Sequence, residues 1–112
     1  MNAWKNLPVS MSQLSEKKQC WYVYIIKATN DKLYTGITTD YRRRFNEHLS
    51  TNKKAKFFHL TEPEGIIFLR SESSRSSASQ LEYQIKRKNK AQKLLLVNSS
   101  ENQIHKIMRD EL

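Results

Sequence analysis

The sequence is poor in cysteine, in acidic residues and in long apolar runs, and each shortage excludes a class of protein. A single cysteine, Cys20, allows no intramolecular disulfide and no cysteine-rich zinc centre. That usage suits a reducing compartment. No stretch approaches the roughly 18 consecutive apolar residues a membrane span needs. Residues 1–18 hold no continuous apolar block and no small-residue cleavage site, so they do not read as a secretory signal. A cytoplasmic protein without membrane attachment is expected. Eleven Asp and Glu stand against twenty Lys and Arg, a net charge of +9 on 112 residues. So large an excess on so small a chain favours a polyanionic partner. Nucleic acid, an acidic membrane surface or an acidic protein would each meet it.

What is present has room for one domain and one core. Residues 1–18 are polar and without period, an extension ahead of the domain. Cys20 to Ile26, CWYVYII, is aromatic and β-branched and reads as a strand. Asn30-Asp31 is a turn, and Leu33 to Ile37, LYTGI, completes a hairpin. Tyr22, Tyr24 and Ile26 fall on one face of the first strand, Trp21, Val23 and Ile25 on the other, so both faces of the sheet should be covered. Asp40 is a helix N-cap, and Tyr41, Phe45 and Leu49 form a core stripe on a helix running to about Ser50. Thr51 to Pro63 is a basic loop containing Phe57 and Phe58. Gly65 to Leu69, GIIFL, is a third strand. A Ser-rich connection, 71–77, leads to a helix with Ala78, Leu81 and Ile85 on its apolar face, and Ser77 with Gln80 or Ser79 with Glu82 fits a capping box. After the basic run KRKNK comes a short helix, 91–97. Ser100 with Gln103 would cap a last helix bearing Ile104, Ile107, Met108 and Leu112. No internal repeat is present. The order ββαβα plus further short helices predicts an α/β protein of the α+β type, a small three-stranded antiparallel β-sheet flanked by helices. Its parts are the extension (1–18), the domain (19–97) and a C-terminal amphipathic helix (98–112).

Several chemically capable side chains fall on one side of this layout. Tyr24 and Tyr34 face each other across the hairpin, and Gly36 lets a backbone or ligand approach that strand. Arg44 and His48 stand four apart at the edge of the helix stripe. Glu82 occupies the border of the next long helix, between Leu81 and Ile85. Each also has an ordinary reading. The tyrosines can be cross-strand packing, Glu82 can pair with Lys86 at i+4, and Arg44 can belong to the solvated run Arg42-Arg43-Arg44. His59 and His105 have no partner at metal-ligand spacing.

In combination, YVY, then YTG ten residues on, then an arginine-bearing helix, then a helix with a border glutamate resemble the GIY-YIG nuclease superfamily. WYVYIIKATNDKLYTGITTDYRRRFNEH and SSASQLEYQIKRKNKAQKLLL are similar to its small stand-alone single-domain branch, over about residues 20 to 97. The resemblance implies that Tyr24 and Tyr34 are the tyrosines of the two half-motifs. It makes Arg44 the helix arginine and Glu82 the single metal-binding glutamate, and puts His48 where the family has histidine or tyrosine. Tyr22 stands where the name motif has glycine, and Ile37 where excision-repair relatives have lysine. Asn89 is the candidate for the asparagine many members place after the glutamate helix.

The implied activity is endonucleolytic hydrolysis of phosphodiesters with one Mg²⁺ or Mn²⁺ and no small-molecule cofactor, in DNA repair or recombination, with DNA the expected polymer. Glu82 would hold the ion, Arg44 would neutralise transition-state charge, Tyr24 or Tyr34 would be the general base and His48 would assist. Arg42, Arg43, Lys53, Lys54, Lys56, Lys86, Arg87, Lys88 and Lys90 would grip phosphates without reading bases, so sequence specificity should be low. The alternative is a non-catalytic nucleic-acid-binding module of the same fold. The sequence leaves a protein partner or a homodimer open.

Overall fold

The computed structural model describes residues 20–111; the extension assigned to residues 1–18 and the expected core residue Leu112 lie outside them. Along the chain come β1 (Trp21–Ala28), β2 (Leu33–Thr38), α1 (Tyr41–Leu49), a 3-10 turn (Lys56–His59), β3 (Pro63–Glu72), α2 (Arg75–Lys86), α3 (Lys90–Val97) and α4 (Ile104–Asp110). The three strands form one antiparallel sheet in the order β2-β1-β3, the expected architecture.

β1 is central, and Val23, Tyr24, Ile25 and Ile26 are all buried because both faces of the sheet are covered. On one face Val23 and Ile25 meet Phe68 together with Ala78 and Ile85 of α2, and Leu96 and Val97 of α3. On the other, Tyr24 and Ile26 meet Tyr41 and Phe45 of α1, Phe58 of the 3-10 turn, and Ile104, Ile107 and Met108 of α4. The chain therefore passes around the free edge of β3 between α3 and α4.

That passage covers an edge that would otherwise offer unpaired backbone groups. Asn102 Oδ1 accepts from the Leu69 N–H (3.1 Å) and its Nδ2 donates to the Ile67 carbonyl (2.8 Å). The Gln103 N–H donates to the Leu69 carbonyl (2.8 Å), and Gln103 Oε1 accepts from the Ser71 N–H (3.0 Å). Two side-chain amides thus do the work of a fourth strand. Ile67 is the residue left over where the β1–β3 register shifts between Ile25 and Ile26, so its carbonyl needs this outside donor.

Several local expectations are corrected. The β3 strand runs to Glu72, since pairing of Ser71 with Tyr22 and Glu72 with Trp21 overrides the turn propensity of the serines. The α2 helix starts earlier than the proposed capping boxes, with Ser74 as N-cap accepting from the Ser77 N–H. In α4, no side chain caps the helix at Gln103, which is spent on β3. In α1, Asp40 is the N-cap as expected. Leu49, however, is 52% exposed, and His48 is buried in its place. At 100° per residue, position 48 lies about 20° from Tyr41 around the helix, while position 49 lies about 80° away.

Candidate active site

The strand register sets the two tyrosines diagonally, not opposite each other as expected. Tyr24 pairs with Gly36, Tyr34 pairs with Ile26, and the two rings lie 6.2 Å apart. The space above Gly36 is filled by Tyr24 itself. A Cβ on Gly36 would stand 2.5 Å from Tyr24 Oη and 2.6 Å from its Cζ. The glycine of YTG therefore admits a tyrosine ring from the adjacent strand.

Tyr24 is the polar hub. Its hydroxyl lies 3.0 Å from His48 Nε2, and His48 Nδ1 accepts from the Ala55 N–H at 3.3 Å. A backbone N–H can only donate, so the proton of the neutral ring sits on Nε2 and is donated to Tyr24 Oη. The ring is neutral because burial, reinforced by the nearby Arg44 charge, lowers its pKa to about 4. Burial pushes the Tyr24 phenol well above its ordinary value, with Tyr34 and Glu82 adding to the rise and Arg44 opposing it. Arg44 and Glu82 thus both stand within electrostatic reach of the Tyr24 oxygen. Tyr34 has a different setting. Its ring packs against His48, Phe57 and Phe58 at centroid distances of 5.2, 5.3 and 5.2 Å, an aromatic wall beside Tyr24.

The loop after α1 is tied to the same groups. Arg44 Nη1 donates to Glu47 Oε1 (2.7 Å) and to the Lys53 carbonyl (2.9 Å). Phe58 is buried against the His48 ring at 4.7 Å. Glu47 and the backbone of residues 53–55 were absent from the sequence-based site. The i, i+3 spacing of Arg44 and Glu47 was the available signal for the first; the second depends on a loop path that no local pattern encodes.

Glu82 sits on α2, about three-quarters buried, with Lys86 Nζ 3.2 Å from its Oε2, so the ordinary i, i+4 ion pair is present. Among the described residues no cluster of three or more His, Cys, Asp or Glu could hold a metal. A lone carboxylate is a hard oxygen donor, and it fits a weakly held hard cation whose remaining positions are filled by water and a ligand's phosphate. Asn89 caps α3 in a reciprocal capping box with Gln92, a structural role.

The cations assigned to phosphate binding divide into two groups. Arg42 donates from Nε and Nη2 to Glu111 Oε1 (3.0 and 2.6 Å), and Tyr41 bonds the other oxygen of that carboxylate, which pins α4 to α1. Arg43 is 3.5 Å from Glu47, and Lys90 is 2.9 Å from Asp31. Arg87 lies over the exposed Tyr83 ring, 5.5 Å from its centroid. Lys53, Lys54, Lys56 and Lys88 have no ion-pair partner among the described residues. No described helix is long and apolar enough to cross a membrane.

The GIY-YIG catalytic-domain profile matches residues 20–94, which carry both tyrosines, Arg44, His48 and Glu82. The chain belongs to the GIY-YIG family, a family of nucleases. A UPF0213 protein of Desulfotalea psychrophila is 38% identical over 84 residues, covering 75% of this chain and 76% of its own. A UPF0213 protein of Photorhabdus laumondii is 44% identical over 77 residues, covering 69% and 73%. The UPF0213 protein YhbQ of Salmonella arizonae is 41% identical over 81 residues, covering 72% and 80%. No solved structure matches the chain.

Proposed function

We propose that this protein is a divalent-metal-dependent endonuclease of the cytoplasm that hydrolyses nucleic-acid phosphodiesters, DNA foremost, with low intrinsic sequence specificity. The observation that carries the reading is the bond between His48 Nε2–H and Tyr24 Oη, with the Arg44 guanidinium beside the same oxygen. A purely structural tyrosine does not need a cation and an oriented imidazole at one oxygen.

Each side chain then has a distinct task. Glu82 would hold Mg²⁺ or Mn²⁺, releasing Lys86 toward the substrate. The chemistry such an ion supplies when bound is Lewis-acid polarisation of a phosphate oxygen. Arg44 offers a planar guanidinium to the negative charge that builds up at phosphorus. Tyr24, rather than Tyr34, would receive the proton of the attacking water as the phenolate, its own proton having first passed to solvent, because His48 and Arg44 face Tyr24 while the Tyr34 ring is engaged by phenylalanines. Burial is the main cause of the rise and makes the phenol a strong base once ionised, while the Arg44 charge opposes the rise and favours the ionised form. His48, neutral at physiological pH, orients the Tyr24 oxygen and carries no charge itself. Lys53, Lys54 and Lys56 hold the polymer through its phosphates.

The test is purified protein with Mg²⁺ or Mn²⁺ on labelled single-stranded, duplex, flap and junction DNA and RNA, beside Glu82→Gln. Cleavage that Glu82→Gln abolishes while metal-free binding holds or tightens is the expected result. Retained cleavage in Glu82→Gln would sink the single-carboxylate mechanism. Salt-dependent binding without any cleavage would instead establish the non-catalytic module.

A further inference from the structure

Arg44 is held from behind. Each terminal guanidinium nitrogen carries two hydrogens, and both on Nη1 are spent, one on Glu47 Oε1 at 2.7 Å and one on the Lys53 carbonyl at 2.9 Å. Among the described residues the Nε and Nη2 hydrogens are bonded to no carboxylate or carbonyl, and the Tyr24 hydroxyl lies beside the guanidinium. The Nε and Nη2 hydrogens lie in one plane and form a forked edge that matches two phosphate oxygens. The carbonyl is itself fixed, since the Lys53 N–H donates to Ser50 Oγ (3.1 Å) and the Ala55 N–H to His48. Glu47 is three-quarters buried, and its other oxygen lies 3.5 Å from Arg43 Nε. A carboxylate at this position costs the site positive field where a phosphate must bind, so its presence needs a compensating role.

We propose that Glu47 is a positioning residue: with the Lys53 carbonyl it clamps Nη1 of Arg44, so that the Nε–Nη2 edge of the guanidinium meets the substrate phosphate in one fixed orientation. This deepens the nuclease reading and rests on it. The same clamp links the loop bearing Lys53, Lys54 and Lys56 to the arginine, so the phosphate grip and the catalytic cation move as one unit. The competing account is that Glu47 only dilutes the repulsion within Arg42-Arg43-Arg44. The two accounts predict opposite signs. If Glu47 is a diluent, removing its charge strengthens the positive field and should improve both binding and turnover. If it is a clamp, the same change releases Arg44 and slows turnover although binding improves.

The experiment uses the full chain with Glu47→Ala and Glu47→Gln, the latter retaining a carbonyl acceptor without charge. Single-turnover cleavage, metal-free DNA affinity and the Arg44 Nε–H resonance in ¹⁵N spectra are followed, with thermal midpoints as a check on folding. Glu47→Ala should lose roughly 10- to 100-fold in rate, the order expected for a misplaced catalytic group, with affinity unchanged or tighter. Its Nε–H signal should broaden or vanish into exchange, and Glu47→Gln should recover most of both. A Glu47→Ala protein that cleaves as fast as the parent, or a Glu47→Gln protein as impaired as Glu47→Ala, overturns the inference. If the parent protein cleaves nothing, the nuclease reading fails by itself. The Nε–H signal then still decides this one: unchanged in Glu47→Ala, it excludes the clamp.

Discussion

The tightest constraint on the site is Gly36, and Gly36→Ala probes it with one methyl group. The backbone there has no positive φ, so alanine meets no conformational barrier and the whole cost is steric. The added carbon would stand 2.5 Å from Tyr24 Oη, 2.6 Å from Cζ and 3.1 Å from Cε2, against a normal contact near 3.5 to 4 Å. The ring must therefore retreat by about 1 Å from a position that is only 2% exposed and surrounded by packed side chains. Overpacking of this kind costs about 1 to 3 kcal/mol. The entropic gain of alanine over glycine in a strand returns about 0.5 to 1 kcal/mol, leaving a net loss of up to about 2 kcal/mol. The shift also pulls Tyr24 Oη off His48 Nε2, so cleavage should fall by roughly 100-fold, well beyond what lost stability explains. Gly65→Ala is the control: a Cβ there meets nothing within 4 Å, and stability should hold or rise by a few tenths of a kcal/mol. Urea unfolding of both variants, with cleavage rates on the same preparations, makes the comparison. Equal stabilities and equal rates for Gly36→Ala and the parent would refute the placement of the Tyr24 ring over Gly36.

Two further outcomes follow from buried polar groups. The folded-state pKa of His48, near 4, lies below the ordinary 6.5, so the stability due to its neutral form is complete above about pH 6.5 and is lost as pH falls toward 4. The loss should be roughly 3 kcal/mol across that window, and the gap between the parent and His48→Phe should narrow accordingly; parallel pH profiles would show that His48 titrates normally. Asn102→Leu strips partners from the Leu69 and Ile104 N–H groups and the Ile67 and Val97 carbonyls, and should cost about 2 to 4 kcal/mol in thermal or urea unfolding. A loss under about 0.5 kcal/mol would mean that water covers the β3 edge equally well.

The sequence disclosed the strands and helices because their signals are local. CWYVYII is apolar on both faces, and the structure covers both. It disclosed less where a distant partner decides. Ser71 and Glu72 at the end of β3 extend because Tyr22 and Trp21 lie opposite them, and Asn102 reads as a loop residue although it completes a sheet edge. The buried His48 inverted an ordinary rule. An imidazole displaced a leucine from the core face because both its nitrogens find partners, one of them from a loop seven residues on, beyond the reach of helix periodicity. The five motif residues were legible as types at a spacing. That Tyr24 gathers the polar contacts while Tyr34 packs among aromatics was not, because a diagonal register places them unequally.

The excess positive charge is also more selective than a count of residues suggests. Arg42, Arg43 and Lys90, three of the nine cations expected on phosphates, are drawn to Glu111, Glu47 and Asp31, and Lys86 to Glu82. A surface pair of this kind is worth no more than about 1 kcal/mol, so a polyanion can compete for each of these cations, but none is freely offered. Lys53, Lys54 and Lys56 carry no such pair among the described residues, and they ride on a loop whose backbone bonds to both Arg44 and His48. Here three of the unpaired cations lie on the segment that the candidate catalytic groups hold in place, where a phosphate chain gripped by the lysines would run past Arg44.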